Sequence, residues 1–84
     1  MKSKKAFIKT LVLIGVRLAE LREQKGYPTI KEFTRKYDLP EIQYWRIEKG
    51  KANITLKSLV RVLAIHNISL QDFFCLVPAD EGRR

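Results

Sequence analysis

The chain has 84 residues, with 17 Lys plus Arg against 9 Asp plus Glu, for a net charge of +8. A domain this small buries only about 60% of the surface its unfolded form exposes, which leaves little room for a deep catalytic cleft beside a stable core and argues against an enzyme acting alone. At 45% apolar and 31% charged residues it is too apolar for a disordered tail, and its positive balance points to a polyanion, either nucleic acid or an anionic membrane surface.

Phe7, Leu11, Ile14, Leu18 and Leu21 recur at steps of three and four, which predicts one amphipathic helix over 3–25, stopped by Gly26. After the turn Tyr27-Pro28, Thr29 and Glu32 have the spacing of a capping box and open a second helix with Ile30, Phe33 and Tyr37 on its inner face, ending near Asp38. Leu39-Pro40 marks the next boundary, because the residue before proline avoids helical angles and proline suits a first helical turn. A third helix then runs through EIQYWRIEK to Gly50, and 51–54 is a loop. Thr55 is expected to cap a fourth helix whose apolar positions are Leu56, Leu59, Val60, Leu63 and Ala64, ended by Asn67 in a left-handed conformation. Ser69 with Asp72 begins a short fifth helix, Leu70 to Phe74. The expected class is all-α, a compact five-helix domain over 14–75 with an N-terminal helical extension over 1–13 and a loose tail over 76–84.

The lone Cys75 allows no internal disulfide, so a cytoplasmic address is the default, and with His66 as the only histidine there is no Cys/His zinc site. No metal, cofactor or catalytic residue is expected. Cys75 reads as a small apolar filler, and His66 as a cation favourably placed at the end of the fourth helix. The start MKSKKAFIKTLVLIGV imitates a secretory signal, but Lys9 interrupts the apolar run and no small-residue cleavage site follows. The run is also too short to span a bilayer.

On the third helix Tyr44 and Ile47 face one way, toward a core, so Ile42, Trp45, Arg46 and Lys49 face outward. A basic residue beside an aromatic on an exposed helix fits insertion into a major groove. By side-chain chemistry Arg46 suits guanine, Gln43 adenine, Glu41 the amino group of cytosine and Ile42 a thymine methyl. Thr29 at a helix start, and Lys49, Lys51 and Asn53 around the loop after the third helix, suit phosphates.

From about Ile14 to Phe74 the chain resembles the Cro and phage-repressor type of helix-turn-helix domain, the xenobiotic-response-element family. The resemblance is carried by Leu21-Arg22-Glu23-Gln24-Lys25-Gly26, Arg46-Ile47-Glu48-Lys49-Gly50, Asn53, and Ser69-Leu70-Gln71-Asp72-Phe73-Phe74. Gln43-Tyr44-Trp45-Arg46 is similar to a subgroup of small bacterial regulators. The resemblance implies a lambda-repressor-like fold, base-reading roles for Glu41, Ile42 and Arg46, and an ion pair between Arg22 and Glu48 tying the first helix to the third. Three features depart from the pattern: Pro40 stands where a Ser or Thr cap is usual, Ile42 and Trp45 are more apolar and Glu41 more acidic than a typical DNA-reading surface, and the N-terminal extension is not required by a minimal domain of this type. That extension is expected to cover the C-terminal segment or to join two chains.

The resulting expectation is a sequence-specific transcriptional regulator, not an enzyme, that binds double-stranded DNA as a homodimer through the helix around 40–49. The alternative is an antitoxin-like protein-interaction module on the same fold, holding a protein partner through Ile42, Tyr44 and Trp45. A membrane partner is not expected.

Overall fold

Five helices follow one another in the computed structural model, which describes residues 2–76: α1 (Lys2–Gln24), α2 (Ile30–Tyr37), α3 (Glu41–Glu48), α4 (Leu56–Ile65) and α5 (Leu70–Leu76). There is no strand among the described residues. The helix starts follow local side-chain chemistry, since the hydroxyls of Thr29, Thr55 and Ser69 accept from the backbone N–H groups of Glu32, Ser58 and Asp72 at 3.2, 3.1 and 3.0 Å. The helix ends do too. Asp38 and Asn67 adopt left-handed angles, φ 57° and 59°, and the Leu39 N–H then donates back to the Thr34 carbonyl at 2.8 Å. Pro40 offers no side-chain cap to α3, and its carbonyl accepts from the Tyr44 N–H at 2.9 Å.

Every helix contributes to one core: Ile14, Leu18 and Leu21 from α1, Phe33 from α2, Tyr44 and Ile47 from α3, Leu59, Val62 and Leu63 from α4, and Phe73 from α5. Phe33 has no exposed surface and is the hub, with the rings of Tyr27, Tyr37, Tyr44 and His66 centred 5.2 to 5.7 Å from its own. Edge-on and tilted pairs of this kind add to the gain from burial.

Three expectations are corrected. The inner face of α4 is Leu59, Val62 and Leu63, while Leu56, Val60 and Ala64 are exposed. The stripe is rotated because the neighbouring helices, and not the count of apolar residues, decide which side is covered. His66 is not a cation completing a helix dipole; it is stacked 5.5 Å from Phe33 at an 11° interplanar angle, and burial lowers its pKa below the usual 6.5. Cys75 is exposed rather than a filler. Toward the N-terminus the α1 stripe leaves the core: Phe7 is about half exposed and Leu11 only partly covered. The expected loose tail falls, beyond residue 76, outside the described residues.

Candidate nucleic-acid interface

The outward surface of α3 is aimed by what lies beneath it. Gly15 of α1 is buried under the end of α3, where a Cβ would collide with the backbone carbonyls of Glu48 and Ile47, the latter at 2.7 Å. The missing side chain lets the two helices approach closely. Two turns further along α1 the contact is ionic. Arg22 Nε donates to one Glu48 carboxylate oxygen at 2.8 Å and Nη2 to the other at 3.1 Å, while Nη1 donates to the Tyr27 carbonyl at 2.8 Å. The paired side chains are 7% and 1% exposed. The hydrogen bonds to Glu48 raise the guanidinium pKa further, so the cation is permanent. The Tyr44 hydroxyl is buried nearby with no hydrogen bond of good geometry, and burial first, then the Glu48 carboxylate, hold the phenol above its ordinary range.

With Tyr44, Ile47 and Glu48 fixed inward, helical geometry leaves Glu41, Ile42, Trp45, Arg46 and Lys49 on the surface. Ile42 is 77% exposed and Trp45 42%. Three of these residues form a connected patch with the following loop. The Lys49 ammonium sits 5.9 Å from the centre of the Trp45 ring, within cation–π range, and Arg46 Nη2 donates to the Lys51 carbonyl at 3.2 Å. The loop turns at Gly50, whose φ of 71° favours glycine, and packs on Val12 of α1.

The remaining site residues stand at the margins. Gln43 lines a shallow cavity between α3 and α4 with Leu39, Pro40, Ser58 and Arg61, a different side of the helix from Trp45. Thr29 is exposed at the start of α2 with its hydroxyl engaged in the cap, and Asn53 is exposed in the loop. Sequence reasoning passed over Gly15; a lone glycine inside a helical pattern is the signal that marks it. It also passed over Arg61, which donates to the Asp38 carbonyl at 3.1 Å and braces the turn before α3. Among the described residues no cluster of His, Cys, Asp and Glu could hold a metal, and no helix is long and apolar enough to cross a membrane.

A short pair, α2 and α3, joined by a tight turn and packed on one another, with the second helix presenting Arg46 on its outer face and Lys49 at its C-terminal cap, is the arrangement of a helix-turn-helix DNA-binding domain. Over 63 residues the chain is 32% identical to the control protein C.MunI of Mycoplasma sp, in an alignment that covers 75% of this chain and 85% of that protein. The chain therefore belongs to the Cro and phage-repressor type of helix-turn-helix family, a family of DNA-binding transcriptional regulators and not of enzymes. No family model matches it, and no solved structure does.

Proposed function

We propose that the protein is a sequence-specific regulator that binds double-stranded DNA as a homodimer in the cytoplasm, laying α3 in the major groove of each half of a pseudo-palindromic site. The observation that carries this reading is the connected patch of Trp45, Arg46, Lys49 and the Lys51 backbone on the outer face of α3. Arg46 reads a guanine edge, with its remaining N–H donors free for the base while one rests on the loop. Glu41, Ile42 and Gln43, on the first turn of α3, meet neighbouring bases, and Trp45 packs against the groove wall beside them. Thr29, Lys49, Lys51 and Asn53 contact phosphates and fix the register. The dimer is supported by Leu56, Val60 and Ala64, which recur every four residues along the exposed side of α4, with Phe74 of α5 also exposed.

Selection of bound duplexes from a random pool tests the proposal. It is expected to return a two-fold sequence whose half-sites lie about 34 Å apart, one helical turn. A protein-interaction module is the second reading, favoured by the apolar Ile42 at 77% exposure. A pool that yields no enriched sequence, with no retention of duplex even at low salt, decides for that module.

A further inference from the structure

Three residues on the outward surface of α3 suit neither a phosphate nor a guanine, and one base edge suits all three. Glu41 and Ile42 share the first turn of the helix and are both exposed. Trp45 follows four residues after Glu41 and three after Ile42, so it neighbours each of them on the helix surface. Ile42, at 77%, is the most exposed large apolar residue among those described. The Trp45 ring beside it carries the Lys49 ammonium over its face. A carboxylate, which only accepts hydrogen bonds, thus lies next to an apolar surface made by two side chains.

Each base pair shows the major groove a different edge. Cytosine has an amino donor that a carboxylate accepts, but it leaves the apolar pair of side chains without a partner. Thymine has a methyl group beside its O4 acceptor, and that oxygen repels a carboxylate. An A·T pair holds both a donor and a methyl group, yet the thymine O4 stands between them. Cytosine methylated at C5 presents the two groups side by side, a donor for Glu41 and a methyl for Ile42 and Trp45. Glu41 and Ile42 differ by about 1.5 Å in height along the helix, less than half of a base-pair step of about 3.4 Å, which directs both to one base pair. Taken singly, Ile42 suits a thymine methyl; beside Glu41 it does not, because an unpaired charge held against the thymine oxygen costs more than one buried methyl contributes.

We propose that α3 reads 5-methylcytosine, with Glu41 accepting from the N4 amino group and Ile42, flanked by Trp45, covering the C5 methyl. Arg46 is about one turn beyond Ile42, about 6 Å along the helix axis. The methylated cytosine therefore lies within about two base-pair steps of the guanine under Arg46. Occupancy of the site then follows the cytosine methylation of the DNA. This rests on the placement of α3 in the groove given above and adds to it a dependence on a single methyl group.

The experiment is fluorescence anisotropy of the full chain on fluorescein-labelled duplexes carrying the selected site. Each half-site cytosine is replaced in turn by 5-methylcytosine, or by thymine paired with adenine, and each thymine by uracil, which removes only a methyl. One cytosine is expected to respond. There, methylation tightens binding about fourfold per half-site, the factor for one buried methyl-sized group, and thymine weakens it about fivefold or more, the low end for a lost base contact. Ile42→Ala removes the methyl gain and keeps the preference for cytosine over thymine, whereas Glu41→Gln keeps the gain and narrows that preference. Both side chains lie on the surface, so the helical circular dichroism of each variant matches the parent's. Three results overturn the proposal and leave the α3 reading intact: no cytosine whose methylation tightens binding, a gain that survives Ile42→Ala, or a uracil substitution whose loss disappears in Ile42→Ala. A parent chain that does not distinguish the selected duplex from a scrambled one overturns both.

Discussion

Arg22 and Glu48 are 26 positions apart in the chain and meet through two parallel hydrogen bonds, at 2.8 and 3.1 Å, with almost no exposed surface on either side chain. The pair ties α1 to α3 from beneath, on the side of α3 opposite the outward patch. Removing one partner leaves a buried charge unpaired, so Glu48→Ala is expected to cost about 3 to 5 kcal/mol. Urea unfolding measures it. A replacement of both by apolar residues, Arg22→Met with Glu48→Leu, is expected to recover most of the loss. If Glu48→Ala unfolds like the parent yet binds DNA poorly, the pair serves recognition and not the fold.

Gly15 supports the same helix crossing by having no side chain. Alanine is favoured over glycine in a helix interior by about 1 kcal/mol. At this position the added methyl meets the carbonyls of Glu48 and Ile47, which are backbone atoms and cannot rotate away. Gly15→Ala is therefore expected to destabilise by a net ~1 to 3 kcal/mol. A variant that melts above the parent would show that α1 and α3 have room to separate.

The local punctuation of the fold was legible in the sequence, and its reason is local. Thr29, Thr55 and Ser69 cap helices through bonds to residues three positions away, and Asp38 and Asn67 end them through their own backbone angles. The orientation of α4 was not legible, because Leu56, Leu59, Val60, Leu63 and Ala64 make two overlapping stripes and only packing against other helices decides between them. Val62 was missed for the same reason, lying beside the polar Arg61. The outward residues of α3 were found because Tyr44 and Ile47 fixed the inner face. The link from Arg46 to the Lys51 carbonyl, and the seat of Gly50 on Val12, depend on how the chain turns back and have no signature in residue spacing.

His66 gives the domain a pH dependence whose sign follows from burial. Its folded-state pKa is lowered below the unfolded 6.5, chiefly by desolvation and secondarily by Lys25, so the folded state binds the proton less readily. Stability from this group is complete above pH 6.5 and is lost as the pH falls from there through the folded-state pKa. Melting temperatures between pH 7.5 and about 5 are expected to decline more in the parent than in His66→Phe, which keeps a ring against Phe33. Parallel declines would remove His66 from the account.

The exposed side of α4 is expected to hold the dimer. Burying a Leu or Val side chain contributes about 1.5 to 3 kcal/mol. Leu56→Asp with Val60→Asp should therefore weaken self-association by more than tenfold, read by sedimentation equilibrium, with the helical signal preserved. A parental molar mass for the variant would move the interface elsewhere, and loss of all helicity would place these residues in the core.

The central claim, that α3 reads base edges, is tested most directly at Arg46 by measuring affinity for the selected duplex and for a scrambled one side by side. Arg46→Ala is expected to cost about 1 to 3 kcal/mol on the selected site, to relax the preference at one base position, and to change affinity for the scrambled duplex far less. Lys51→Ala weakens both duplexes alike. Equal losses for Arg46→Ala on the two duplexes, with every base preference retained, would contradict the reading of α3 as the recognition helix.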